Sequence, residues 1–318
     1  MKLEVRTVRF QLRAPLRTAW GDLRVREYLE VRLEGAGGEY GEGEAAPLEP
    51  YDGVSLAAVR AALDAYARVL ATDPDDPLEA CRAERDLPQA LAAIDLALWD
   101  RRARRERTPI ARLIAPDALA AVAVNATIGA EDRAGAAAQA AQAVAAGFTT
   151  LKVKVGIGDD AGRLAAVRAA AGRDVALRAD ANGAWRTPEE ALANLRVLAP
   201  LRLELCEEPV HGVEALERVR AESPVPIAMD ETHAPGSGAA DLVCLKVTRG
   251  GITGVLRDAA AARAAGSDVY VASTYDGPRG IAAAVHVAAA LKIRRACGLA
   301  ASAGGPEPKN GFIDVPFP

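Results

Sequence analysis

The sequence predicts an α/β protein, a β/α barrel preceded by an α+β unit, and three observations carry that expectation. From about residue 116 onward, short apolar segments alternate with Ala-rich helical stretches; eight such segments in about 180 residues match the repeat of a β/α barrel. Segments two to six each end in charge: Lys152 and Lys154, then Asp180, then Glu207 and Glu208, then Asp230 and Glu231, then Lys246. Before residue 116 the texture differs, with strands first and helices after them.

LEVRTVRFQL, REYLEVRLEG and EYGEGEAAP carry strand-like alternation and are joined through turns rich in glycine (Gly35, Gly37, Gly38), so they read as an antiparallel meander. Ser55 to Leu70 and Pro88 to Arg102 carry apolar residues at helical spacing, with Ser55 placed as an N-cap. Residues 1–115 are thus assigned to the α+β unit, 116–300 to the barrel and 301–318 to a tail packing back on the first unit. An open doubly wound sheet is the competing architecture, but it does not ordinarily place charge at the ends of so many strands.

Half of the 318 residues are apolar while only 4% are aromatic, so the core must be built from Ala, Val and Leu, with close helix packing. The net charge of -4 is spread along the chain and leaves no basic face for nucleic acid. Cys81, Cys206, Cys244 and Cys297 show no zinc spacing and suit a reducing, cytoplasmic setting. The N-terminus lacks the apolar stretch of a signal peptide and no run of eighteen apolar residues occurs, so no membrane span is expected. The pattern leaves oligomeric state open, a homo-oligomer included.

A barrel gathers the C-terminal ends of its strands into one ring. Asp180, Glu207 and Asp230 would then offer three hard oxygen ligands from neighbouring strands, a set suited to Mg²⁺ or Mn²⁺ and not to zinc. Lys152 and Lys154 lie two apart and share a strand face; two enclosed ammonium groups depress each other's pKa and free an amine to act as a base. Lys246 enters from across the ring. The chemistry these residues suit is removal of a proton next to the carboxylate of a small-molecule substrate, with the cation stabilising the enediolate. Any one of these residues could be a solvated strand end; five consecutive strands make coincidence a poor account.

LKVKVG, RADANGAW, CEEPV, MDET and CLKV, in that order, resemble the muconate lactonizing branch of the enolase superfamily. GEGEAAPLEPYDG resembles its capping domain. The resemblance implies a modified (β/α) TIM-type barrel with an N-terminal α+β capping domain. It makes Asp180, Glu207 and Asp230 the metal ligands, Lys154 the base, Lys152 its modulator and Lys246 the second lysine, with Asn182, Glu208 and Glu231 behind them. Trp20 and Tyr51 would fall in capping loops that close over substrate, ordinary packing being their other reading, and Ser273 and Asp276 of STYDGPRG would contact substrate. One departure is plain: ETHAPGSGAADLVCL, between Asp230 and Lys246, is too short for a full helix and predicts a loop or single turn.

Dipeptide epimerases of this branch carry an acidic pair on the eighth strand, where this chain reads ACGLA. That apolar strand favours a substrate without an ammonium group, and GEGEAAPL and ACGLA resemble o-succinylbenzoate synthases, which implies a lyase dehydrating its substrate (menaquinone pathway). An isomerase, either N-acylamino acid racemase or dipeptide epimerase, is the alternative, and another cycloisomerase or acid-sugar enzyme follows. A barrel reduced to a binding role is the reading from another class, and the full set of lysines and ligands argues against it.

Overall fold

The computed structural model describes residues 1–18, 21–129, 132–299 and 305–317. The alternating N-terminal segments form β1 (Lys2–Thr18), β2 (Gly21–Glu34) and β3 (Tyr40–Ala45), an antiparallel sheet in that order. Helices α1 (Glu49–Asp52), α2 (Leu56–Leu70), α3 (Pro77–Glu84), α4 (Pro88–Glu106) and α5 (Ile110–Ile114) follow. The Ser55 side chain accepts from the Ala58 amide and satisfies one of the donors that the start of α2 leaves open.

From Tyr28 to Val31 both faces of β2 are buried. Leu29, Val31 and Leu33 join Val59, Leu63 and Tyr66 of α2 and Ile94 of α4 in one core cluster. Arg26, Tyr28 and Glu30 turn the other way and meet the barrel at Thr274, Gly277 and Arg279. Helix α4 lies so close to β3 that a Cβ at Gly41 or Gly43 would stand 2.0 Å from the carbonyl oxygen of Ala97 or Ala93, so glycine is required there.

In the barrel, β4 (Ala121–Ala123) and β5 (Ala126–Ile128) lead into α6 (Arg133–Ala145), β6 (Thr150–Lys154), α7 (Asp160–Ala171), β7 (Ala176–Asp180), α8 (Pro188–Leu198), β8 (Leu203–Glu207), α9 (Val213–Glu222) and β9 (Ile227–Met229). Then come β10 (Leu242–Leu245), α10 (Gly251–Ala264), β11 (Asp268–Val271) and α11 (Pro278–Ala290). Strands β5 to β11 pair in parallel, in sequence order. Residues 297 and 298 take the eighth place: the Cys297 amide donates to Ala123 (2.7 Å) and the Gly298 amide to Val271 (2.8 Å), which closes the ring. Between β9 and β10 there is only a 3-10 turn, Pro235–Ser237, in the segment too short for a helix.

Below the mouth, Arg178 is fully buried; it donates to Glu204 (2.7 Å) and the Ala296 carbonyl (2.7 Å), so its charge is paired. The tail forms β12 (Phe312–Asp314), antiparallel to β4 of the barrel, and its end, Pro316 and Phe317, borders a cavity with Glu42, Asp100 and Arg104 of the N-terminal unit. No helix among the described residues is long and apolar enough to cross a membrane.

Candidate active site

Parallel register assembles the site. Lys154 pairs with Asp180 and Asp180 with Glu207, so three strand ends arrive at one level. Asp230 and Lys246 follow directly on the last residues of β9 and β10. All five border one pocket together with Lys152, Tyr51, Asn182 and Ser273.

The three carboxylates are almost wholly enclosed, with exposures of 0% for Asp180, 1% for Glu207 and 3% for Asp230. Lys152 Nζ lies between Glu207 Oε1 (2.7 Å) and Asp180 Oδ2 (2.8 Å). Lys154 Nζ donates to Asp180 Oδ2 (2.6 Å) and Asn182 Oδ1 (2.6 Å). Lys246 Nζ donates to Asp230 Oδ1 and to the Tyr51 hydroxyl (2.8 Å). The Tyr270 hydroxyl donates to Glu207 Oε2 (2.6 Å), so both oxygens of that carboxylate are engaged.

For Lys152 these contacts reverse the expectation that two enclosed ammonium groups depress each other. Burial lowers the Lys152 pKa, but the Asp180 and Glu207 carboxylates outweigh it and hold the ammonium well above its ordinary value. Burial likewise disfavours the charge on Lys246, and Asp230 more than offsets it. Burial would raise Asp180, yet Lys152 and Lys154 bring its carboxyl down to about 2. Burial pushes Glu207 up against the pull of Lys152. For Lys152 and Lys246 the physical reason is composition: the ammonium touches a buried carboxylate, and opposite charge at that range exceeds like-charge repulsion between amines.

Glu207, Asp230 and Cys244 place ligand atoms within 4.8 Å of one another. Burial raises the Cys244 thiol well above its usual range, as does the neighbouring Asp230 carboxylate, so the sulfur stays protonated and is a poor donor to a hard cation. Asp180, joined to Glu207 through Lys152, is the third buried carboxylate bordering the pocket and stands outside that group of three. An all-oxygen donor set of this kind fits Mg²⁺.

The residues expected behind the ligands orient them. Asn182, at φ 46, accepts from Lys154 and donates to Glu231 Oε1 (2.8 Å). Glu208 takes a left-handed backbone at φ 39, and its carboxylate accepts from the amides of Asp230 (2.7 Å) and Thr232 (2.9 Å). Such backbone strain in a non-glycine residue persists only where surrounding contacts enforce it.

Of the expected substrate contacts, Ser273 and Tyr51 border the pocket. Asp276 is not among the lining residues: its Oδ1 accepts from the amide (3.1 Å) and hydroxyl (2.8 Å) of Thr274, which braces its own loop. Trp20 lies outside the described residues. Three participants escaped the sequence reading. Arg249 donates to the Tyr51 hydroxyl (2.7 Å) and to the Asp230 carbonyl (2.9 Å). Tyr270 orients Glu207. Arg26 donates to the carbonyls of Ala46 (2.6 Å), Pro47 (2.6 Å) and Thr274 (3.1 Å), tying the segment that carries Tyr51 to the loop after β11. The alternation Arg26, Tyr28, Glu30 on one strand face was the available signal for Arg26.

Known proteins match most of this chain. The chain is 29% identical over 310 residues to a hydrophobic dipeptide epimerase of Enterococcus faecalis, covering 92% of this chain and 87% of the relative. It is 39% identical over 178 residues to an o-succinylbenzoate synthase of Thermobifida fusca, covering 51% of this chain and 55% of that one. The crystal structure of a dipeptide epimerase from E. faecalis V583, complexed with Mg and the dipeptide L-Leu-L-Tyr, superposes with a TM-score of 0.90 at 27% identity, covering 99% of this chain and 97% of that one. Residues 1–115 match the family "Mandelate racemase / muconate lactonizing enzyme, N-terminal domain", and residues 135–316 match "Enolase C-terminal domain-like". With cap and barrel both matched, and the strand-end lysines and carboxylates brought to one pocket, the chain belongs to the enolase superfamily, in its mandelate racemase and muconate lactonizing subgroup.

Proposed function

We propose that the protein moves a proton from one face of an α-carbon to the other, racemising or epimerising an N-acylated α-amino acid; the C-terminal residue of a dipeptide is one such unit. One observation carries the reading: Lys154 and Lys246 stand on strands four apart in a ring of eight, across one pocket, each aimed at a carboxylate of the same cluster. Lys154 takes the α-proton from one face, and Lys246 delivers a proton to the opposite face. For the other enantiomer the roles exchange. Lys152 stays protonated beside Asp180 and Glu207, and Asn182 fixes the direction of Lys154. Asp180, Glu207 and Asp230 would hold Mg²⁺, which when bound supplies positive charge to the substrate carboxylate and to the enediolate it becomes. Beyond those three the described pocket lining holds no carboxylate to pair an ammonium, so a neutral N-acyl group is a better match than a free α-ammonium.

Dehydration of the o-succinylbenzoate synthase type is the second reading, favoured by the apolar Cys297-Gly298-Leu299 at the closing strand and by the T. fusca relative. It needs a base on one face only. The deciding experiment follows α-proton exchange in D₂O and turnover, with Mg²⁺, across both enantiomers of N-acyl amino acids, dipeptides and the synthase's cyclohexadiene substrate. Exchange of both enantiomers, with Lys154→Ala losing one and Lys246→Ala the other, is expected. The corresponding loss is about 10²- to 10⁴-fold. Turnover of the cyclohexadiene alone would replace this reading with the second.

A further inference from the structure

The two lysines are held differently. Lys154 has both of its side-chain partners, Asp180 and Asn182, on the barrel. Lys246 has one partner on the barrel, Asp230, and one on the N-terminal unit, Tyr51. The Tyr51 hydroxyl is saturated: it accepts from Lys246 Nζ (2.8 Å) and from Arg249 Nη2 (2.7 Å), and it donates to Asp230 Oδ1 (2.6 Å). A phenol offers one donor and two acceptor sites, so no capacity is left for a substrate atom. The ammonium of Lys246 also sits 4.4 Å from the centroid of the Tyr51 ring, and the Arg249 guanidinium 4.9 Å from it. The backbone around Tyr51 is equally determined. Pro50 opens the single turn of α1, Gly53 ends it in the left-handed region at φ 71, and Arg26 bolts the segment before it to the barrel loop at Thr274.

We propose that Tyr51 is a positioning residue for Lys246, not a substrate contact: its hydroxyl, braced by Arg249, fixes the Lys246 ammonium on one face of the pocket. Proton transfer on that face then depends on docking of the N-terminal unit, whereas transfer through Lys154 depends on the barrel alone. The inference deepens the two-base reading above and rests on it. A buried amine on a flexible four-carbon stem needs such fixing, because small displacements from reacting geometry are costly.

Tyr51→Phe removes the hydroxyl and keeps the ring. The measurement is α-proton exchange in D₂O of each enantiomer of an N-acyl amino acid, with Lys246→Ala identifying the enantiomer that depends on Lys246. In Tyr51→Phe the ratio of the two exchange rates should shift by at least about tenfold against that enantiomer. Equal slowing of both enantiomers would mean a general structural role and would overturn the proposal. Crystal structures of the wild type and Tyr51→Phe give a second readout that needs no substrate. Lys246 Nζ should leave its position while Lys154 Nζ keeps its own; an unmoved Lys246 overturns the proposal. Should the wild type exchange no N-acyl amino acid, the functional reading fails, and the crystallographic comparison decides the role of Tyr51 by itself.

Discussion

The pocket has two sides built on different principles. On the Lys154 side, base, carboxylate and amide partner come from β6 and β7 and their immediate continuation, and parallel hydrogen bonding sets their spacing. On the Lys246 side, the lysine and Asp230 follow the short strands β9 and β10, and the remaining contacts come from α1 of the N-terminal unit and from Arg249. The first side inherits its precision from a sheet ladder. The second obtains it from an interface held by polar contacts such as those of Arg26, Glu30 and Glu44. Two bases of one reaction can therefore respond differently to the same perturbation of the cap.

The largest effect that could break this comparison lies in the ligands the two sides share. Asp180→Asn on one side and Asp230→Asn on the other should each weaken Mg²⁺ binding by more than the roughly 10- to 100-fold typical of an outer partner. Cys244→Ser should leave the affinity near wild type. Titration calorimetry would separate these outcomes, and a loss confined to Asp230→Asn and Cys244→Ser would move the ion off Asp180.

A smaller effect sharpens the interface half. Burial, together with the nearby Asp276 carboxylate, raises Glu44 from an ordinary 4.5 to about 8. Between those values the folded protein keeps a proton that the unfolded chain releases, so stability falls as pH rises from about 5 to about 8. Glu44 accepts from the amide of Gly280 (3.3 Å), at the start of α11, so the proton sits where cap meets barrel. Urea unfolding across that range should show a decline in the wild type that Glu44→Gln flattens; identical slopes would remove Glu44 from the account.

The smallest effect is a control. Ser55→Ala deletes the α2 cap, whose side chain bonds to Ala58 and to neither base, and should cost about 1 kcal/mol by chemical denaturation. The ratio of exchange rates for the two enantiomers should not change. If it does, the asymmetry belongs to the stability of the N-terminal unit in general and not to Tyr51.

Much of the site was legible because strand ends are legible. A short apolar run followed by Lys, Asp or Glu marks where a barrel strand leaves the core, and the expected order of those residues matches the ring. The Lys152 ammonium was read in the wrong direction, because spacing along one strand revealed the neighbouring amine and not the carboxylates facing it from β7 and β8. The bonds of Asp276 to Thr274 were not legible for a related reason: a loop motif shows which side chains are near the mouth, but not which local bonds they make.

The sequence by itself determined the alternation of strands and helices, the capped start of α2, the short turn before β10 and the identity of the residues at the strand ends. Each of these is a local matter of side-chain period, capping and chain length. Tertiary structure alone decided that Tyr51 would meet Lys246, 195 residues away, and that Arg26 would reach Thr274, 248 residues away. Such contacts depend on how two separately patterned units dock, and a periodicity records which face is buried without recording which partner covers it.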